Sequence, residues 1–161
     1  MSGLTQIFMK VEKTKFMKSR DMEMVRMPYS QAMAEIKKLR EQIKDEYDSK
    51  EEERLEAKWL SVVRGIIPEV GIPCTIVYFS DYRAATVVEV SDDKKKVGVR
   101  FNDTECKDWY GGNYEILPGL HGAVQYFTHR KNGRWIMDGQ PVRDGVALAL
   151  HYQRHYIDPH F

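Results

Sequence analysis

After Pro28, apolar residues recur at three- and four-residue intervals: Met33, Ile36, Leu39, Ile43 and Tyr47 fall on one face of a helix. Pro28 and Ser30 supply the start signal, since proline is tolerated where a helix begins and serine can cap the first free N–H groups. The segment Asp48 to Arg54 then has no apolar side chain, and Ser49 with Glu52 fits a capping box that opens a second helix. Leu55, Trp59, Val62 and Ile66 resume the stripe until Gly65 and Pro68 stop it. One helix of about 36 residues or a helical hairpin bent near residue 48 satisfies this pattern equally. The outward charges alternate in sign, as on a solvated helix face.

From Val70 the period changes from helical to two, aromatics concentrate and turn residues punctuate the chain every 8 to 12 positions. This predicts strands over Cys74 to Phe79, Ala84 to Val90, Lys96 to Asn102, Tyr114 to Leu117, Ala123 to Arg130, Arg134 to Asp138 and Val146 to Leu150. Asp92-Asp93-Lys94-Lys95 reads as a tight turn, Asn102 to Gly112 as a polar loop, and Asn132-Gly133 as a hairpin turn in which both residues accept positive φ. Short strands at such spacing close readily into a barrel. The expected fold is therefore α+β: an N-terminal long helix or helical hairpin, then an antiparallel small β-barrel with a C-terminal hairpin. The segments are an arm over 1–28, a helical part over 29–68 and a β domain over 69–161.

Composition adds three limits. With 161 residues, 42% apolar and 30% charged, the chain can bury one ordinary core and is too polar for a membrane protein. Lys plus Arg total 25 against 24 Asp plus Glu, so the general cationic field of a nucleic-acid coat is missing. That neutrality is an average: residues 1–27 hold Lys10, Lys13, Lys15, Lys18, Arg20 and Arg26 against Glu12, Asp21 and Glu23, a local charge of +3, and six of the eight methionines. Leu4, Ile7, Phe8 and Val11 form a short stripe there; the arm reads as loosely packed or as a partner-binding element. Cys74 and Cys106 are too far apart for a zinc or redox motif, and neither a signal peptide nor a spanning segment is visible. A cytoplasmic location is expected.

Catalytic signatures are absent: there is no G-x-G-x-x-G, P-loop, H-E-x-x-H or G-x-S-x-G. No cofactor is expected. His151 and His155, spaced i and i+4, could meet on one helical face with Asp158 or His160 to hold a metal for hydrolysis. If the chain continued as a strand, they would lie about 13 Å apart and could not share one ion; histidines packed among Tyr152, Tyr156 and Phe161 are the simpler alternative. Cys74 heads an apolar strand and reads as core, whereas Cys106 is the more exposed and reactive thiol. Asp81, Asp103, Glu105 and Asp108 could pair for acid–base work, though such loop carboxylates usually bond local backbone.

Binding chemistry is more visible. Gly71 to Val90 and Lys96 to Asp103 give an apolar strand, a compact turn, a second strand and a third ending in Phe-x-Asp. This resembles the first half of Tudor-like and Src-homology-3-like small barrels, and the resemblance implies a ligand surface where loops gather Phe79, Tyr82, Phe101, Trp109 and Tyr110, with Asp81 and Arg83 beside them. Rings there could take a cation, a base or an apolar peptide, or simply fill the barrel. Phe127-Thr-His-Arg-Lys-Asn-Gly-Arg-Trp135, the later Gly139 and Gly145, and Tyr156-Ile-Asp-Pro-His-Phe161 resemble a group of uncharacterised phage and prophage proteins over about 70–161. That group commonly has Arg directly after the turn aspartate, where this chain has Tyr82 and then Arg83. Basic residues cluster at Lys94, Lys95 and Lys96 and at Arg130, Lys131 and Arg134; if both turns share one barrel end, they would flank Trp135 and Trp109 as a surface for nucleic acid or an acidic protein.

The expected function is that of a non-enzymatic, phage-encoded accessory factor in the host bacterial cytoplasm. It would bind a host protein or nucleoprotein complex such as a defence system, with inhibition as one possible consequence. The alternatives are a nucleic-acid-binding small-barrel module and a metal-dependent hydrolase using the C-terminal histidines. A homodimer through the helical stripe is a further expectation.

Overall fold

The structure is a computed structural model and describes residues 23–159. The arm up to Met22 with its Leu4, Ile7, Phe8 and Val11 stripe, together with His160 and Phe161, lies outside the described residues. The chain divides into two compact units: one holds the residues up to Ile67 together with Lys131–Gly133, the other Pro68–Arg130 and Arg134 onward.

In the first unit the apolar stripe is carried by two helices, α1 (Tyr29–Lys44) and α2 (Ser49–Arg64), flanked by β1 (Met27–Pro28) and β2 (Ile66–Ile67), which pair in parallel. The break falls where the apolar spacing lapses. The cap of α2 is Asp48, one residue before the expected Ser49: its carboxylate accepts from Lys50 N at 2.9 Å and Glu51 N at 3.5 Å. An anion serves this place well because it bonds the free N–H groups and meets the positive end of the helix dipole. Ala32, Ile36, Leu39 and Ile43 of α1 are buried, as are Leu55, Trp59, Leu60, Val62 and Val63 of α2. Each large side chain removed from water in this way contributes about 1.5–3 kcal/mol. Tyr47, placed last on the stripe by sequence, is instead 98% exposed, because α1 ends at Lys44 and the helical spacing no longer applies. Within this unit the buried Arg64 donates from Nη1 to the Asn132 carbonyl at 2.5 Å.

The second unit is a six-strand antiparallel sheet: β3 (Pro73–Val77), β4 (Tyr82–Val90), β5 (Lys96–Asp108), β6 (Asn113–His129), β7 (Trp135–Met137) and β8 (Ala147–Ala149). Each strand pairs with the next, and β8 also pairs with β3 through Thr75↔Ala149 and Val77↔Ala147. Alternate residues point inward, so Cys74, Ile76, Val87, Val97, Val99, Phe127, Ile136 and Leu148 make the core. With two helices and this sheet, the chain is α+β.

The strands depart from the expected ones chiefly in length. The predicted loop Asn102 to Gly112 is strand: β5 and β6 run on as one long hairpin arm to a tip at Trp109–Gly112. Most residues from Thr104 to Asp108 are exposed, so the alternation that betrays a half-buried strand is missing there. Three register shifts along the pairing with β6 disturb the period further. The β4–β5 turn forms as expected, closed by Ser91 N to Lys96 O at 2.9 Å, with Asp93 accepting from the Ser91 hydroxyl at 2.6 Å and Lys95 N at 3.0 Å. The β6–β7 turn differs: Arg130 N donates to Arg134 O at 2.8 Å, and Gly133 has φ +84 while Asn132 does not enter the left-handed region. This is a three-residue loop with glycine at its last position, where the Asn-Gly pair suggested a two-residue turn.

Candidate functional site

The antiparallel order sends successive turns to opposite ends of the sheet unit. Lys96 pairs with Thr128, and Lys95 O accepts from His129 N at 2.8 Å, so the β4–β5 and β6–β7 turns share one end. The β3–β4 turn and the arm tip lie at the other. The two basic turns are therefore together, but Trp109 is not beside them, which corrects the expected surface. Trp135 is also buried, stacked on the His129 ring at 4.7 Å. Three of the six cations of these turns, Arg130, Arg134 and Lys96, have named partners. Arg130 donates from Nε to Thr128 Oγ1 at 2.7 Å and from Nη2 to Met137 O at 3.2 Å. Arg134 donates to Val142 O at 3.3 Å, and Lys96 pairs with Asp138 at 3.1 Å while lying 5.1 Å from the Tyr126 ring. Lys94 and Lys95 remain exposed, and Lys131 groups with the helical unit.

The opposite end is built where β5 leaves β4. Their pairing runs from Val90↔Val97 to Ala85↔Phe101, and beyond it Tyr82 pairs with Tyr156 instead, each N donating to the other's O at 2.8 Å. The segment 150–159 after β8 thus lies along the start of β4. Gln153 Nε2 donates to Ala85 O at 2.9 Å and to Asn102 Oδ1 at 3.3 Å, while Asn102 takes a 2.7 Å bond from the Thr86 hydroxyl and donates to Leu117 O at 2.9 Å. Thr75 Oγ1 donates to Tyr152 O at 2.8 Å and accepts from Arg154 N at 3.0 Å, and Asp81 Oδ1 accepts from Asp158 N at 2.9 Å. The arm closes on the same segment: Gly112, with φ +67, lies so near Tyr156 that a Cβ there would stand 2.4 Å from the ring.

Of the residues expected to bind a ligand, Phe79, Asp81, Arg83 and Phe101 come together with Tyr78 and Ser80 around an open recess of about 510 Å³. Phe79 is 96% exposed, and at the arm tip Tyr110 is 78% and Trp109 45% exposed. Tyr82 is half-buried with the Arg154 guanidinium 4.5 Å from its ring centre, so it supports this end from behind. The Arg83 guanidinium lies 5.6 Å from the Phe101 ring centre. Along the arm, four carboxylates (Asp103, Glu105, Asp108 and Glu115) face one lysine: Lys107 bridges Glu105 at 3.1 Å and Glu115 at 3.3 Å, and Asp103 contacts His121 at 2.7 Å. Burial pushes the half-exposed Tyr78 hydroxyl up, opposed by Arg83.

His151 and His155 pack against tyrosine rings. The chain from His151 to Tyr156 is not helical, so the i, i+4 pair does not converge. His151 is buried edge-on to Tyr152 at 4.8 Å, and burial pushes its pKa down to about 3, which keeps it neutral. His155 sits edge-on to Tyr114 at 4.8 Å and accepts from Ala84 N at 3.3 Å through Nδ1; burial, then Arg83, lowers its pKa. Asp158 uses its backbone N–H on Asp81, and no group of three His, Cys, Asp or Glu among the described residues could hold a metal. Cys74 is buried, which pushes its thiol pKa far up, and Cys106 is exposed, though on a strand and not in a loop.

Sequence reasoning missed Asn102, Gln153 and Gly112, which set how the arm and the 150–159 segment meet. Gly111-Gly112 offered a signal for close approach; a lone Asn or Gln offers none. Compared with known proteins, the chain matches no family model, no curated protein and no solved structure. Among the described residues no helix is long and apolar enough to cross a membrane.

Proposed function

We propose that the chain is a non-enzymatic binding protein whose partner is a protein docking on the aromatic end of the sheet unit. The observation that carries this reading is the exposure of large rings at this end: Phe79 lines an open recess, and Trp109 and Tyr110 stand in solvent on the arm tip. Exposed aromatics on a firmly bonded frame are the side chains that most often dominate protein interfaces, because they bury large area at small entropic cost. The strand pairing that returns from β8 to β3 suits a small barrel of the Tudor-like or Src-homology-3-like kind. The phage resemblance supplies the setting: an accessory factor in the host cytoplasm that binds, and thereby inhibits, a host protein or nucleoprotein complex. Nucleic acid is the less favoured partner, since Arg130, Arg134 and Lys96 each commit at least one donor to groups of the same unit.

The test is to purify the chain with its partner from host lysate and compare Phe79→Ala/Tyr110→Ala with Lys94→Gln/Lys95→Gln. The aromatic variant should lose a stoichiometric complex, with binding weakened by about 2 kcal/mol or more and no change in thermal midpoint. The lysine variant should keep it. Capture that survives the aromatic variant, or fails with the lysine variant, overturns the reading.

A further inference from the structure

We infer that the recess beside Phe101 is a subsite for a peptide bearing an apolar side chain next to a carboxylate, with the carboxylate taken by Arg83; this rests on the protein-binding reading of the same end. Arg83 lines the recess with Phe79 and Phe101, half-buried, its guanidinium 5.6 Å from the Phe101 ring centre. Among the described residues no carboxylate or carbonyl bonds that guanidinium, whereas Arg130 and Arg134 at the opposite end are held by Thr128, Met137 and Val142. The recess that Arg83 lines with these two rings is open.

Contact with the Phe101 ring already restricts the Arg83 side chain, so less rotamer freedom is lost when a ligand arrives. A carboxylate can meet a guanidinium through two parallel N–H···O bonds, and partial burial makes that pair stronger than one in open water. Phe79, almost fully exposed, offers the apolar wall for the neighbouring side chain. Charge selects a peptide over a polyanion. Asp81 lines the same recess, and the arm at this end sets four carboxylates against Lys107, so a nucleic acid with its regular phosphates meets repulsion. One carboxylate flanked by apolar residues escapes most of it.

The test titrates the full ¹⁵N-labelled chain with N-acetyl-leucyl-aspartate amide, with N-acetyl-leucyl-asparagine amide, and with a short oligothymidylate. The aspartate peptide should shift the Arg83 Nε–H signal and the Phe79 and Phe101 rings saturably, and the asparagine peptide should bind roughly tenfold more weakly, as expected for loss of a charged hydrogen bond. Arg83→Gln should erase that difference; Arg83→Lys, which keeps the charge but not the fork, should reduce it and serves if the glutamine variant does not fold. Equal binding of the two peptides, or no response at the recess, overturns the subsite. Salt-sensitive shifts of Arg83 with the oligonucleotide alone also overturn it, in favour of nucleic acid. If the peptides bind alike while Phe79→Ala/Tyr110→Ala still loses the lysate partner, the subsite fails and the protein-binding reading stands. If the aromatic variant keeps the partner, both fail.

Discussion

At one end of the sheet unit two turns bring Lys94, Lys95, Lys96, Arg130 and Arg134 together; at the other, Phe79 and Arg83 line a recess, and Trp109 and Tyr110 lie on the arm tip. Read as sequence, both ends carry binding chemistry: the aromatics through the small-barrel resemblance, the basic turns through their run of charge. In space the arginines of that end are bonded to Thr128, Met137 and Val142, and Lys96 to Asp138. The carbonyls of Met137 and Val142, at the end of β7 and in the loop before β8, serve as acceptors there. The aromatic end instead keeps its rings in water and leaves Arg83 beside a ring. In the proposed reading, availability, set by what each side chain has to bond locally, favours the aromatic end over the basic one as the binding surface.

The contrast depends on the 150–159 segment, which fastens the aromatic end, so the largest effect should come from its buried root, His151. Its pKa is about 3 in the folded chain against 6.5 for an ordinary histidine. The unfolded chain therefore takes up a proton that the folded one refuses: the contribution is complete above pH 6.5 and shrinks as pH falls toward 3, by about 3 kcal/mol at pH 4. His155, lowered in the same direction, adds to the trend. Urea unfolding at pH 7 and pH 4 should show most of this loss in the parent chain and a much smaller one in His151→Leu; equal slopes with pH would break the assignment.

Next in size is Gly112→Ala. The residue sits at φ +67 against the Tyr156 ring, so a methyl group there brings both backbone strain and a collision, worth roughly 1–3 kcal/mol. Hydrogen exchange should accelerate at the paired Tyr82 and Tyr156 amides, while Ser91, Lys96 and His129 at the basic end keep their protection. Uniform acceleration at both ends would mean that the ends are not independent. Smallest is Lys94→Gln with Lys95→Gln: stability should move by less than about 0.5 kcal/mol, since both are exposed turn lysines. A larger loss in thermal unfolding would show that the basic end holds the fold through them.

Legibility in the sequence followed burial. The helical stripe from Ile36 to Val62 was readable because a buried face repeats with the helical period, though Ile66, which continued the spacing, lies in β2; the strands bearing Ile76, Val87, Val97 and Phe127 were readable because one face of each is dry. The outer half of the β5–β6 hairpin was not, since polar groups on both faces erase the period. Tyr47 misled because it continued a spacing past the end of its helix. Of the candidate site residues, Phe79, Asp81, Arg83 and Phe101 line one recess, where the β3–β4 turn meets the end of the β4–β5 pairing. Tyr82 was placed with them but faces Arg154, because Tyr82 and Arg83 alternate across the strand.

By itself the amino-acid order determined a helical part followed by strands, the positions of several turns, the buried state of Cys74 and the presence of aromatics and cations near turns. These follow from periodicity and local backbone preference, which act over a few residues. Tertiary structure alone decided which turns share an end, which arginines are spent and which rings stay wet. Those outcomes depend on strand pairing between residues far apart in the chain, such as Lys96 with Thr128 and Tyr82 with Tyr156, and on the bonds that such neighbours then make available.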